Sequence, residues 1–507
     1  MRGALLICGT HSDAGKSVVA AGVCRWLARR GVSVAPFKAQ NMSLNSVVTP
    51  DGSEIGRAQA SQAAAARIAP EAAMNPVLLK PFGERRSQVM VMGRPYADVD
   101  ARSYQALKAE LRPIVDAALS DLRRRFDVVI CEGAGSPAEI NLRADDITNM
   151  GLARSAGLPV LLVGDIERGG VFASLYGTLA LLDPADQAHI AAFAINKFRG
   201  DPAILAPGLA RLEELTGRPM VGVLPWMDDL RLDVEDSLAL DAPPPGRSAD
   251  AGTLEVAVLR MRWMSNFTDL DALSLEPGVR VRFTRSPADI ERADLLVLPG
   301  TKSTIEDLAR IRTAGLGRAI AARATAGAPI LGICGGYQML GGVIEDDVES
   351  HRREVAGLGL LPVRTRFEPD KLLRRRAGRS PWLEAPASGY EIRHGRVTRD
   401  GGEPFLTAAD GEEDGCRLGA VIGTSWHGLL EGDSLRRALL RWVAATRGRH
   451  YEPGARPFAE AREEQIDALA DMIDANLDTE RLRAMISTGA LGVRPVAGTK
   501  EGSCFAS

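Results

Sequence analysis

Short apolar runs alternate with amphipathic segments from residue 5 to residue 224 of the chain. The runs have the length of strands buried in a parallel sheet, and the segments between them have the 3.6-residue repeat of helices. The predicted strands are Leu5–Cys8, Val32–Phe37, Phe126–Cys131, Leu158–Asp165, Ile190–Ile195 and Met220–Leu224. The predicted helices are Lys16–Arg30, Gly56–Ala69, Ala101–Arg125 and Val171–Leu182. This alternation predicts an α/β unit of six or seven parallel strands with helices on both faces.

A proline-rich segment separates this unit from a second one. Asp241–Ser248 contains three consecutive prolines, which supply no backbone donors to a helix or sheet, so we predict a linker over residues 241–251. Beyond it we predict strands at Leu254–Leu259, Val279–Phe283, Asp294–Leu298, Pro329–Ile333 and Ala420–Ile422, and helices at Asn266–Leu273 and Gly432–Thr446. The predicted organisation is an α/β domain over residues 1–240, a second α/β domain over 252–445, and an extension over 446–507. The extension is predicted to contain a helix at Phe458–Asn476 and a glycine-rich, disordered end.

Composition narrows the classes of function. The chain has 507 residues and a formal net charge of −3, so it has no general attraction for nucleic acid or anionic membranes. No stretch approaches the ~18 consecutive apolar residues of a membrane span. The first apolar run is too short for a signal peptide, and six cysteines without a C-x-x-C pair argue against a disulfide framework and a zinc site. We therefore expect a cytoplasmic protein with small-molecule partners, and homo-oligomer formation is left open.

The first candidate site lies between the first predicted strand and the first predicted helix, where the chain reads Gly9-Thr10-His11-Ser12-Asp13-Ala14-Gly15-Lys16-Ser17. Such a loop gathers backbone N–H groups around phosphates, with the lysine on the outer phosphates and the serine hydroxyl on Mg²⁺. Five residues, instead of the usual four, separate the two glycines. This longer form resembles the dethiobiotin-synthetase branch of P-loop enzymes, which phosphorylate a carboxylate. The predicted nucleotide-binding residues of the loop are Gly9, Thr10, Asp13, Gly15, Lys16 and Ser17.

Polar residues also follow other strands of this unit, at the sheet edge where open parallel sheets bind ligands. Lys38 follows the second strand and is predicted to contact the nucleotide. Glu132 ends the third strand and is predicted to hold Mg²⁺ together with Ser17. Asn196 follows the fifth strand and is predicted to read the exocyclic amine of adenine. The loop after Lys38 supplies three candidate substrate-binding residues, namely Gln40, Asn41 and Ser43.

The second candidate site is a nucleophile elbow in the second unit. An apolar strand turns into a helix at Cys334, which is flanked by Gly332 and Gly336 in a Gly-x-Cys-x-Gly arrangement. The helix N-terminus favours the thiolate over the thiol. The backbone N–H of Gly335 and one from the turn at Gly300 are predicted to receive an oxyanion.

A cysteine nucleophile needs a base, and the chain has six histidines. His427 follows the strand Ala420–Ile422 and precedes a glycine that keeps its imidazole accessible, so it is the predicted base. His394 is the second choice, and we expect it to shape a loop near the site.

Together these motifs resemble the cobyric acid synthase family. The resemblance rests on the phosphate loop with Pro36–Ser43 in the first unit, and on Gly332–Gln338 with Trp426-His427-Gly428 in the second. It extends from about residue 3 to about residue 480. It implies a dethiobiotin-synthetase-like P-loop domain followed by a domain like the class I glutamine amidotransferases.

The resemblance also implies a reaction. ATP, Mg²⁺ and glutamine would amidate the b, d, e and g carboxylates of adenosylcobyrinic acid a,c-diamide, a corrinoid, and give adenosylcobyric acid in cobalamin biosynthesis. By this analogy Cys334 attacks the glutamine amide, His427 is its base and acid, and Gln338 binds glutamine. Class I glutaminases carry a glutamate two residues after the histidine, where this chain has Leu429. We therefore expect a Cys-His dyad, with Glu431 as an alternative orienting residue.

Two alternatives remain at this point. Cobyrinic acid a,c-diamide synthase shares both domain types and amidates two carboxylates, although the Lys38–Ser43 loop favours the four-fold enzyme. A nucleotide-switched scaffold of the MinD type with an inactive glutaminase-like domain belongs to a different class. Cys334, Gln338 and His427 occur together in the chain, which argues against the scaffold.

Overall fold

A computed structural model describes residues 1–227, 230, 253–489, 495 and 496; the predicted linker and most of the predicted disordered end lie outside these residues. The central sheet of the first domain has six strands, all paired in parallel. Their order across the sheet is Met220–Pro225, Ile190–Phe198, Val160–Asp165, Gly3–Gly9, Val128–Glu132 and Val34–Phe37. The predicted doubly covered parallel sheet is confirmed.

Helices cover both faces of this sheet, which explains why its strands are apolar except at their carboxyl ends, where Glu132, Asp165 and Asn196 lie. Side chains alternate along the first strand, so Leu6 and Cys8 join the core on one face while Leu5 and Ile7 join the core on the other. The helices of the first domain are Lys16–Ala28, Arg57–Ala65, Ala101–Arg125, Met150–Ala156, Val171–Ala180, Pro184–Gln187 and Ala206–Thr216.

A second, smaller sheet in the first domain was not predicted, because its strands are short and partly polar. It places Gln40–Met42, Val77–Phe82, Arg86–Val91 and Arg94–Val99 side by side. A hairpin that pairs Ser46–Val48 with Glu54–Gly56 lies between the first two strands of this sheet in the sequence. The segment after Lys38, which we predicted as a loop, therefore contains two short strands.

The second domain has its own six-stranded sheet. Its order is Val279–Thr284, Leu254–Leu259, Leu295–Leu298, Ile330–Ile333, Val421–Thr424 and Cys416–Leu418. The first five strands are parallel and the last is antiparallel. The helices are Asp271–Ser274, Pro287–Arg292, Thr304–Thr313, Leu316–Thr325, Gly335–Leu340 and Asp433–Thr446. The predicted helix at Asn266–Leu273 is a 3-10 turn, Phe267–Leu270, that leads into the first of these helices.

A long antiparallel hairpin stands beside this second sheet. It pairs Val363–Ser380 with Ala385–Arg399. Shorter strands complete the sheet around the hairpin, namely Val343–Glu345, Glu354–Ala356, Leu406–Ala408 and Glu413–Asp414. A separate two-stranded pair joins Met264–Ser265 to Gly300–Thr301.

The C-terminal helices Phe458–Asn476 and Thr479–Thr488 return to the first domain. Leu469 and Ile473 belong to the same core as the first strand, and the Trp26 indole N–H donates to Asp474 at 2.8 Å. Gly22 permits this close packing, since a Cβ there would lie 2.8 Å from the Ile473 side chain. The extension is therefore part of the core of the first domain. In the part of the chain that is described, no helix is long and apolar enough to cross a membrane.

Candidate active site

The phosphate loop follows the central strand of the first domain and ends where the helix Lys16–Ala28 begins. Gly15 has φ 94°, and a Cβ at this position would lie 2.0 Å from Asn196 Nδ2, so only glycine fits. The Lys16 ammonium folds back over the loop and donates to the His11 carbonyl at 3.0 Å. The lysine therefore lies over the space where the loop would hold phosphates.

Glu132 lies beside the loop and is almost completely buried. Its carboxylate accepts hydrogen bonds from Ser17 Oγ and Lys38 Nζ at 2.8 Å each, and from Gln62 Nε2 at 2.5 Å. The structure thus brings together the two predicted Mg²⁺ residues, Ser17 and Glu132. One carboxylate and one hydroxyl suit Mg²⁺, which takes oxygen ligands and completes its shell with water and substrate phosphates.

Asn196 lies under the phosphate loop, where its amide donates to the Ala14 carbonyl at 3.1 Å. This contact braces the loop, a role that the sequence did not suggest, and the adenine contact stays a prediction. Thr10 Oγ1 is buried without a hydrogen-bond partner among the described residues, which suits a ligand-facing position. Asp13 is exposed and lies 3.5 Å from the Lys197 ammonium.

The three predicted substrate-loop residues differ in their surroundings. Asn41 is buried and donates to Gln59 Oε1 at 2.9 Å, while the buried Ser43 hydroxyl donates to the Asn45 carbonyl at 3.3 Å. Gln40 accepts a hydrogen bond from the Tyr104 hydroxyl. Asn41 and Ser43 therefore hold the loop in shape, and direct substrate contact by any of the three stays a prediction.

Cys334 forms the elbow in the second domain. The strand Ile330–Ile333 ends at Cys334, whose φ of 49° and ψ of −108° are strained for a non-glycine residue, and the helix Gly335–Leu340 begins directly afterwards. A Cβ on Gly336 would lie 2.0 Å from the Leu298 carbonyl oxygen, and one on Gly332 would lie 2.8 Å from the Tyr337 nitrogen. The flanking glycines are thus needed to make the turn.

His427 is the imidazole of this site. Its Nδ1 lies 2.7 Å from Asp269 Oδ2, and the ring lines the same cavity as Cys334, whose sulfur contributes to the pKa of the imidazole. Burial alone would lower the pKa of His427, but the negative charges of Asp269 and Cys334 outweigh it and raise the pKa to about 10. The imidazole is therefore held in its protonated form next to the sulfur.

Asp269 makes the site a Cys-His-Asp triad, so the predicted Cys-His dyad is wrong. Its second oxygen accepts from the Gly428 N–H at 2.7 Å, which fixes the carboxylate against the histidine loop. Sequence spacing could not reveal it, because it precedes His427 by 158 residues. The alternative orienting residue, Glu431, accepts a hydrogen bond from Arg57 of the first domain at 2.6 Å instead.

The remaining predicted residues lie around the same site. Gly300 is next to the imidazole, since a Cβ there would lie 2.7 Å from His427 Cε1. Gln338 accepts from Thr304 Oγ1 at 3.1 Å and lines a cavity together with Cys334 and His427. His394 lines the cavity too, but burial lowers its pKa. Its Nδ1 contacts the Glu368 carbonyl at 3.0 Å, and no carboxylate among its described contacts orients the ring as Asp269 orients His427.

Comparison with known proteins defines the class to which this pair of sites belongs. Residues 255–435 match the CobB/CobQ-like glutamine amidotransferase domain, and residues 5–239 match the CobQ/CobB/MinD/ParA nucleotide binding domain. The chain is thus a glutamine amidotransferase joined to a nucleotide-binding domain.

Full-length relatives define the family. The cobyric acid synthase of Frankia casuarinae is 58% identical over 511 residues, which cover 96% of this chain and 98% of that protein. The cobyric acid synthase of Streptomyces avermitilis is 56% identical, over 97% of this chain and 97% of that protein. The cobyric acid synthase of Rhodococcus jostii is also 56% identical, over 96% of this chain and 96% of that protein. The chain belongs to the cobyric acid synthase family. It is accordingly an ATP-dependent, glutamine-dependent amidoligase of cobalamin biosynthesis, which sets aside the MinD-type scaffold.

Asp269→Asn is expected to weaken glutamine hydrolysis and to change its pH dependence. Because the Asp269 charge raises the pKa of His427, its removal lowers that pKa, and the imidazolium is lost at a lower pH. We expect glutamate release from glutamine to fall by about 10²- to 10⁴-fold. The alkaline limb of its pH profile should move to lower pH. The matched control is Glu431→Gln, which removes a carboxylate close to His427 in the chain but not one that contacts its ring. An unchanged profile in Asp269→Asn would contradict the triad.

Proposed function

We propose that this chain amidates the b, d, e and g carboxylates of adenosylcobyrinic acid a,c-diamide to give adenosylcobyric acid. The observation that carries the proposal is the presence, on one chain, of a phosphate loop with Lys16, Ser17 and Glu132 and of a Cys334-His427-Asp269 triad. A carboxylate at neutral pH is a poor acyl donor, so amidation needs both an activating group and a nitrogen source. The phosphate loop would supply the activating group, and the triad would supply the nitrogen.

The first domain would activate the carboxylate by transferring the γ-phosphoryl group of ATP to a carboxylate oxygen, which forms an acyl phosphate and ADP. The loop N–H groups and Lys16 would neutralise charge on the phosphates. Mg²⁺, when bound by Ser17 and Glu132, supplies further positive charge at the phosphate oxygens. Lys38, which is hydrogen-bonded to Glu132, would keep that carboxylate oriented.

The second domain would release the nitrogen. The Cys334 thiolate attacks the side-chain amide carbon of glutamine, and His427 gives its proton to the departing ammonia, which leaves a thioester that water hydrolyses to glutamate. The N–H of Gly335 and the turn at Gly300 would receive the oxyanion, and Gln338 would orient glutamine. Ammonia then displaces phosphate from the acyl phosphate and forms the amide. Passage within the chain keeps ammonia unprotonated and close to its target.

The reaction would take place in the cytoplasm. The cysteines of the described ranges, Cys8, Cys24, Cys131, Cys334 and Cys416, are all free, as expected in the reducing cytoplasm. A single chain carries both sites, so the proposed reaction does not require a homo-oligomer. Formation of a homo-oligomer would not change the proposed reaction.

Mass spectrometry of the corrinoid tests the number and identity of the amides. The purified protein would be incubated with ATP, Mg²⁺, glutamine and either adenosylcobyrinic acid a,c-diamide or cobyrinic acid. We expect the diamide to lose about one dalton for each of four carboxylates converted. Conversion of only two carboxylates of cobyrinic acid, with the diamide untouched, would identify the a,c-diamide synthase and overturn the proposal.

A further inference from the structure

A buried cluster of three charged side chains joins the two domains. Glu54 and Lys80 belong to the first domain, and Lys371 belongs to the long hairpin of the second. Lys80 Nζ lies 2.5 Å from Glu54 Oε1, and Lys371 Nζ lies 2.7 Å from Glu54 Oε2. The three side chains are at most 4% exposed. One carboxylate therefore pairs with two ammonium groups, which leaves a surplus positive charge.

The pKa values of Glu54 and Lys371 agree with a surplus positive charge in this cluster. Burial alone would raise the pKa of Glu54, but Lys371 and Lys80 hold it well below its usual range, so the carboxylate is ionised. Burial lowers the pKa of Lys371 to about 8, partly offset by Glu54, so this ammonium is still charged at neutral pH. Surplus charge out of water is costly unless an opposite charge meets it.

Both lysines line the cavity that contains Cys334 and His427. The other cations of the cavity wall already have carboxylate partners, since Lys302 pairs with Glu349 and Arg393 pairs with Glu391. The unmatched charge therefore lies at Lys80 and Lys371. The Lys80 ammonium donates to Glu54 and to Ser46 Oγ at 2.8 Å; of its three donors, these are the two with partners among the described residues. Lys371 has a partner for each of its donors, namely Glu54, Gln88 Oε1 at 3.2 Å and the Met90 sulfur at 3.8 Å, so it contributes charge while Lys80 keeps a donor for a ligand.

We propose that the remaining donor of the Lys80 ammonium, with the charge of Lys371 beside it, binds the α-carboxylate of glutamine, so that the first domain completes the glutamine site of the second. The inference rests on the proposed glutaminase role of Cys334. In a glutamine whose amide carbon lies at Cys334, three carbon atoms separate that carbon from the α-carboxylate, which therefore lies inside the same cavity. That carboxylate pairs with the surplus positive charge on its own side of the glutamine Cα, and the lysines thereby select an amide that carries an α-carboxylate over one that lacks it.

The test uses the variants Lys80→Met and Lys371→Met in the full chain. Each leaves Glu54 with one lysine, so the cluster becomes an electrically balanced pair instead of an uncompensated charge. We expect the KM for glutamine to rise roughly 10- to 100-fold, through loss of a charge-assisted hydrogen bond in Lys80→Met and of the charge beside it in Lys371→Met. Glutamate release is the readout, with amidation from ammonium salts measured in parallel as the check that the chain is folded.

A second substrate separates recognition from packing. 4-Aminobutanamide has the chain length of glutamine but lacks the α-carboxylate, so the unmodified chain should strongly prefer glutamine. The two variants should lose most of that preference. An unchanged KM for glutamine, or an equal loss with both amides, would overturn the inference. Failure of the proposed function looks different, because the unmodified chain would then amidate no corrinoid even with ammonium.

Discussion

Cys334→Ala is expected to abolish glutamine-dependent amidation while amidation from ammonium salts persists. The variant removes the sulfur that we propose attacks the glutamine amide, and no other described residue of the elbow can replace it. The loss of glutamate release should be on the order of 10³-fold or more, as for removal of a covalent nucleophile. The phosphate loop of the first domain is untouched, so the activated carboxylate still forms and accepts free ammonia. The measurement is paired: glutamate release and corrinoid mass, with each nitrogen source.

The matched control for this variant is Cys416→Ala. Cys416 is also a buried thiol of the second domain, but its sulfur lies 3.5 Å from the Gly401 carbonyl and does not line the cavity with Cys334. It should keep glutamine use. Glutamate release at the normal rate by Cys334→Ala would place the nucleophile elsewhere and refute the triad.

Lys16→Ala is expected to remove amidation with both nitrogen sources. Without this ammonium the loop would lose the cation that we propose neutralises the outer phosphates. The acyl phosphate would then not form, and ammonia would have no activated carboxylate to attack. We expect product formation to fall by on the order of 10³-fold with glutamine and with ammonium alike. The measurement is the rate of corrinoid amidation under saturating ATP.

Arg29→Ala is the control for Lys16→Ala. It removes a cation just beyond the end of the same helix, where Arg29 pairs with Asp471 at 2.6 Å on the surface. An exposed pair of this kind contributes little to stability, so activity should remain. Product formation by Lys16→Ala with ammonium would mean that the carboxylate is activated somewhere other than the phosphate loop.

The sequence predicted the parts of the fold and site that depend on local pattern. The phosphate loop and the elbow at Cys334 are each complete within a few residues, because glycines are required there by the close approach of backbone. The helices Ala101–Arg125 and Phe458–Asn476 have the predicted bounds, since their apolar repeat is regular from end to end.

The parts that were missed depend on contacts between distant segments. Asp269 meets His427 only because the turn Phe267–Leu270 packs against the histidine loop. The long hairpin was not predicted because its polar strands pair with each other, so its stability comes from the ladder and not from an apolar run. Lys80 reaches the glutaminase cavity from the other domain, and no spacing within the sequence encodes that placement.

Nitrogen released at Cys334 should reach, within the chain, a carboxylate activated at the phosphate loop. An isotope experiment decides this point: the protein is incubated with ATP, the corrinoid, glutamine labelled with ¹⁵N in its side-chain amide, and an excess of unlabelled ammonium. Transfer within the chain gives product amides that carry far more ¹⁵N than the ammonium dissolved in the buffer. Product amides with the isotope ratio of the buffer would show that the two sites exchange ammonia only through solvent, and would refute transfer within the chain.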